Sequence, residues 1–109
     1  LRAMLESAGF EVVEAERARD GIRMAQEVPP MVILMDVRMP DMSGLDATRA
    51  LRSDPRTLST PVIAVSAQAM TGDRELAFEA GCVAYVTKPV ARQELLSAIG
   101  SVTRMSEAE

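Results

Sequence analysis

Val32-Ile33-Leu34-Met35-Asp36, followed by Val37-Arg38-Met39-Pro40, decides how this chain reads. Four apolar, largely β-favouring residues run without alternation, as expected of a strand buried on both faces of a parallel sheet. The run then ends in a carboxylate. A charged group straight after a buried strand costs free energy unless it is paired, solvated or bound to a cation. In open α/β sheets the carboxyl ends of the strands are also where ligands bind. Alone, Asp36 could simply open a loop; other strand ends decide whether it does more.

The chain has 109 residues, enough for one compact domain. Hydrophobic residues make up 48% and charged residues 26%, a globular rather than a disordered balance. No apolar run approaches the ~20 residues needed to span a bilayer, so membrane insertion is not expected. Leu1–Ala8 carries Arg2 and Glu6 at helical spacing and does not resemble a signal peptide. The net charge of -4 argues against direct nucleic-acid binding, which needs a basic surface. One cysteine, Cys82, permits no intrachain disulfide and suits a reducing compartment. With no histidine, Ser-His-Asp, Cys-His and His-ligated zinc schemes are excluded within the chain. Of its 12 basic residues, only Lys88 is lysine. A compact ammonium, if one is needed, can come from nowhere else.

Outward from Asp36, helical and extended patterns alternate. Leu1, Met4, Leu5 and Ala8 form a helical stripe stopped by Gly9. Phe10–Ala15, with Val12 and Val13, reads as a short strand. Ala18–Glu27 reads as a helix with Ile22 and Ala25 inward, halted by Val28-Pro29-Pro30. Met31–Asp36 is the buried strand. Ser43 is positioned to cap a helix over Gly44–Ser53, with Leu45, Thr48 and Leu51 inward. Val62-Ile63-Ala64-Val65 is a second buried run ending at Ser66. A helix follows from Thr71 to Ala80, stopped by Gly81. Cys82–Val86 is a third buried run, closing on Thr87-Lys88-Pro89. Arg92–Met105 is the last helix, with Leu95, Leu96, Ile99 and Val102 as its stripe, and 106–109 is an acidic tail. Strands alternating with helices imply a parallel sheet covered on both faces. Right-handed crossovers then bring the strands' carboxyl ends to one edge.

That edge collects Asp36, Ser66 and Lys88, spaced 30 and 22 positions apart in the sequence, about one βα unit each. A carboxylate, a hydroxyl and the chain's single ammonium suit a tetrahedral oxyanion attached to the carboxylate. Asp36 would be the nucleophile, Ser66 a hydrogen-bond donor to a phosphoryl oxygen, and Lys88 its counter-charge.

With these residues in place, the chain resembles the receiver domain of bacterial two-component response regulators. The matching residues are 33–45 (ILMDVRMPDMSGL), 61–67 (PVIAVSA) and 80–89 (AGCVAYVTKP), set almost end to end along the chain. The resemblance implies a flavodoxin-like doubly wound parallel sheet of order 2-1-3-4-5, with residues 1–105 as an N-terminally incomplete receiver. It implies a phosphoacceptor at Asp36, a non-turnover protein rather than an enzyme, and a cytoplasmic location. The donor would be a histidine on a kinase or histidine phosphotransfer protein, which fits a chain without histidine. Ser66 becomes the switch hydroxyl, Tyr85 the switch aromatic and Lys88 the phosphate-binding lysine, with a cis bond to Pro89. Asp36 and the Arg38 carbonyl become Mg²⁺ ligands. Ala67 leaves the phosphate accessible, while Gln68 and the Arg38 side chain lie where the family tunes autodephosphorylation. A downstream protein would be met by the fourth helix, last strand and last helix. The stretch Gln68–Arg74 most resembles receivers of hybrid kinases and small stand-alone regulators.

Receivers also begin with a strand ending in two acidic residues that hold Mg²⁺, whereas these 109 residues open in the first helix. Mg²⁺ demands near-octahedral oxygen ligation, so weak or absent binding is expected of Asp36 and one carbonyl. The missing strand would lie mid-sheet, and about five buried side chains there are worth roughly 8–15 kcal/mol. The expectation is therefore a piece of a longer receiver, or else a rearranged or partner-completed sheet.

Other features read more plainly. Asp41 is a turn residue rather than a second ligand, and Met31, Met35, Met39 and Met42 are packing and loop residues. Cys82 fills core. Asp73, Glu75 and Glu79 form the wet face of their helix. A receiver used only as a phosphorylation-independent interaction platform is the alternative, countered by the retained Asp36, Ser66 and Lys88. An Asp-nucleophile phosphotransfer hydrolase would carry a second Asp where Arg38 stands. A flavin module would need a phosphate-cradling loop that no strand here precedes.

Overall fold

The computed structural model describes residues 1–67 and 72–107, with side chains to residue 103. Eight elements run in order: α1 (Arg2–Ser7), α2 (Ala18–Glu27), β1 (Ile33–Asp36), α3 (Gly44–Arg52), β2 (Val62–Ser66), α4 (Asp73–Ala80), β3 (Ala84–Thr87) and α5 (Arg92–Glu107). The strands form one parallel sheet, β1-β2-β3, with Asp36 opposite Val65 and Ser66 opposite Thr87. Because side chains alternate along a strand, neighbouring residues of β2 feed different cores. Val62 and Ala64 join Met35, Ala18, Ala25, Ala47, Leu51, Ala77 and Cys82, beneath α2, α3 and α4. Ile63 joins Leu5, Val86, Leu95, Ile99 and Val102, beneath α1 and α5. Helices therefore cover both faces, as the alternation of elements requires.

Local sequence explains most of the element ends. Ser43 takes extended dihedrals before α3 and its side chain accepts from the Leu45 N–H, a helix cap. Gly9 and Gly81 end α1 and α4 with φ of 95° and 112°. In both, the glycine N–H and the next N–H turn back onto carbonyls of the last turn, from Gly81 to Phe78 and from Cys82 to Ala77 at 3.0 Å each. Inside α3, Thr48 is fully buried and donates its hydroxyl proton to the Gly44 carbonyl at 2.8 Å. The Cys82 thiol donates weakly to the Thr48 oxygen at 3.7 Å. Burial pushes that thiol's pKa up, away from the thiolate that redox chemistry needs.

Two expectations need correction. Phe10–Ala15 forms no strand. Phe10 and Val12 still pack against the Leu5–Ile63 core, yet Val13 is 70% exposed. A ladder needs a neighbour, and in the order 2-1-3-4-5 this segment pairs only with position 1, which no described strand occupies. The observed β1-β2-β3 is the 3-4-5 portion of that order. Second, the Met31–Asp36 strand is not buried throughout: only Met35 of β1 is, whereas every residue of β2 is. β2 has neighbours on both sides and β1 on one, so the same apolar pattern yields different burial. The last helix also runs two residues past Met105, so Ser106 and Glu107 of the expected tail are helical. Thr71, read as a helix start, and Ala108 and Glu109 of the tail lie outside the described residues.

A polar link ties the loop after α3 to α2. The Asp54 carboxylate accepts from Arg56 Nη2 at 2.8 Å and from Gln26 Nε2 at 2.9 Å. Hydrogen bonds from the Arg56 guanidinium, then from its backbone N–H, lower this carboxyl from 3.8 to about 2. A depressed folded-state pKa means stability that is complete above about pH 4 and is lost as pH falls through the folded value. Asp54→Asn is therefore expected to flatten the acid limb of urea midpoints between about pH 4 and 2. A limb as steep as wild type would show that the link contributes nothing.

Candidate functional site

Asp36, the last residue of β1, receives two hydrogen bonds: the Arg38 N–H reaches Oδ1 at 3.0 Å and Lys88 Nζ reaches Oδ2 at 2.6 Å. Fifty-two residues separate acid and ammonium in the chain. The sheet register brings them together. The ladder extends past the named strand ends, with Val37 N–H donating to Val65 O at 3.0 Å and Lys88 N–H to Ser66 O at 2.7 Å. Asp36, Ser66 and Lys88 thus lie at the ends of three adjacent strands, at one edge of the sheet. Ser66 is buried, while the Lys88 and Asp36 side chains remain 40% and 35% exposed, open to an incoming anion.

Beside them lies a cleft of about 250 Å³, lined by Ser66, Tyr85, Arg38, Val37, Leu45, Asp73 and Leu76. Tyr85 stands opposite Ala64 on β3 and packs against the core under α2, α3 and α4. Ala67 follows Ser66 and is exposed, and the Lys88–Pro89 peptide bond is cis. Gln68 lies outside the described residues. Asp36 reaches this edge as its place after an apolar run predicts, but what shapes its loop has no such local signal. Gly44 approaches Asp36 so closely that a Cβ there would lie 2.1 Å from the Asp36 carbonyl oxygen. Asp41 is also more than a turn residue. Its carboxylate accepts from the N–H groups of Ala18 at 2.8 Å and Arg19 at 3.0 Å. The signal for this was the start of α2, where Arg17 makes no side-chain cap.

Asp36 and the Arg38 carbonyl offer Mg²⁺ two protein oxygens. Among the described residues no group of three His, Cys, Asp or Glu side chains could hold a metal. The two carboxylate oxygens of Asp36 already face Arg38 and Lys88. These residues do not make up an octahedral set.

A doubly wound α/β domain with an acid, a hydroxyl and an ammonium at its strand ends is the class that fold and site define. The family model of the response regulator receiver domain matches residues 1–100, and the chain belongs to that family. The polar-differentiation response regulator DivK of Brucella anthropi is 37% identical over 100 residues, 92% of this chain and 81% of that protein. Among solved structures, the receiver domain of a Pseudomonas aeruginosa sensor histidine kinase superposes with a TM-score of 0.86 at 35% identity. The match covers 94% of this chain and 84% of that one, which carries a magnesium ion in its active-site cleft. A Chloroflexus aurantiacus putative response regulator gives 0.90 at 26% identity, over 94% and 84% of the two chains. The fold is thus the flavodoxin-like one of receivers, and the chain is a receiver domain of two-component signalling. Receivers in general are phosphoacceptors that work with histidine kinases and downstream effectors. No helix among the described residues is long and apolar enough to cross a membrane.

Proposed function

We propose that Asp36 accepts a phosphoryl group from a histidine on a partner kinase or phosphotransfer protein. A carboxylate oxygen of Asp36 attacks phosphorus, the phosphorus–nitrogen bond breaks, and the imidazole leaves with the electron pair. An acyl phosphate on Asp36 remains. Lys88, at 2.6 Å from the carboxylate, supplies the charge that balances the phosphoryl oxygens. Ser66, on the neighbouring strand end, donates a hydrogen bond to one of them. That donation draws Ser66 toward Asp36, and Tyr85 follows into the cleft it shares with Ser66. The surface of α4, β3 and α5 changes shape and biases binding of a downstream protein, with couplings typically ~1–3 kcal/mol. Hydrolysis of the acyl phosphate resets the domain, with Arg38 and Ala67 bordering the attacking water and Pro89 fixing the chain after Lys88.

The observation that carries this reading is the Lys88–Asp36 contact, which joins the chain's one ammonium to a carboxylate on another strand. Acetyl phosphate with excess magnesium, followed by gels that retard acyl phosphates, tests it. A retarded band is expected from the wild-type chain and none from Asp36→Asn. No retarded band, or one that survives Asp36→Asn, overturns it.

A further inference from the structure

We infer that Asp41 is a positioning residue for the acceptor, fastening the loop after β1 to the first turn of α2. The inference rests on Asp36 being the phosphoacceptor. A helix begins with N–H groups that have no partner within the helix, and a side chain at the N-cap usually accepts from them. Arg17 stands at the N-cap of α2 and makes no such bond. Asp41, 23 residues away from Ala18, does so instead: Oδ1 accepts from Ala18 N–H and Oδ2 from Arg19 N–H. The Arg19 Nε lies 3.9 Å from Oδ2, and the Asp41 side chain is only 18% exposed. The Arg19 N–H bond, outweighing desolvation, keeps the carboxyl ionised below its usual range.

The other anchors of this loop lie at its ends. Gly44 N–H donates to Val37 O at 2.9 Å, and Arg38 pairs with Ser43 in an isolated antiparallel bridge. Asp41 sits between them, with Met39 and Met42 packed on the core that contains Ala18. One carboxylate therefore fixes the middle of the loop to α2. The same loop begins with Arg38, whose N–H orients the Asp36 carboxylate. Releasing Asp41 takes away the loop's polar tie to α2, leaving its end anchors and the Met39 and Met42 packing, so the Arg38 N–H directs Oδ1 of Asp36 less firmly while Lys88 still holds Oδ2. A displacement of this kind slows a group transfer that depends on alignment.

The test compares Asp41→Ala and Asp41→Asn with Asp20→Asn, which removes a first-turn charge of α2 paired with Arg23. Residue-resolved amide exchange and the rate of acetyl-phosphate labelling are both read. In Asp41→Ala the Arg38 amide is expected to exchange roughly tenfold faster, the effect of losing a cap on local opening, with labelling slowed to a similar extent. Asp41→Asn keeps one acceptor oxygen and falls between, while Asp20→Asn leaves Arg38 as in wild type. Faster exchange at Ala18 and Arg19 with Arg38 and labelling unchanged overturns the inference, reducing Asp41 to a helix cap. If the wild-type chain takes no label, the phosphoacceptor reading fails, and the Arg38 amide still decides whether Asp41 positions the loop. If Asp41→Ala does not fold, Asp41→Asn carries the comparison alone.

Discussion

Gly44→Ala is expected to cost roughly 3 kcal/mol or more, at the upper end for overpacking, and to lower the melting temperature by about 12–24 °C for a domain of this size. The added Cβ would lie 2.1 Å from the Asp36 carbonyl oxygen, 2.9 Å from its carbonyl carbon and 3.0 Å from the Val37 Cα. All three are backbone atoms, so no rotamer change relieves the clash. Either the end of β1 or the start of α3 must move. Neither moves freely, because the Gly44 N–H is bonded to Val37 O and its carbonyl accepts from the buried Thr48 hydroxyl. Thermal melts followed by circular dichroism read the effect directly. A midpoint equal to wild type would show that the loop after β1 yields without cost.

Lys88→Gln is expected to separate chemistry from stability. The Lys88–Asp36 pair is 40% and 35% exposed, and pairs this open contribute only ≈ 0–1 kcal/mol to folding. Its melting temperature should therefore stay close to wild type. In the proposed phosphoryl transfer the same ammonium would face the developing charge, where losing one placed donor costs about 10²–10³ in rate. Labelling of Asp36 by acetyl phosphate should fall by that factor. A slowed rate together with a collapsed fold would instead assign Lys88 a structural part. Unchanged labelling would remove it from the site.

The two substitutions also mark where sequence reasoning succeeds and where it stops. Lys88 was visible because it is the only lysine and closes an apolar run. Gly44 carries no such mark, since nothing in its sequence neighbours announces a backbone oxygen from the preceding strand.

The sequence alone determined the helices, their glycine and proline stops, the Ser43 cap, and the three apolar runs that end in Asp36, Ser66 and Lys88. These depend on residues a few positions apart, through periodicity, dihedral preference and local capping. Tertiary structure alone decided that Phe10–Ala15 stays outside the sheet, that β2 is buried where β1 is not, and that Asp41 caps α2. Each of those outcomes belongs to a pair of groups distant in the chain. A strand exists only if a neighbour accepts its hydrogen bonds, and an acid becomes a cap only when folding carries a helix end to it.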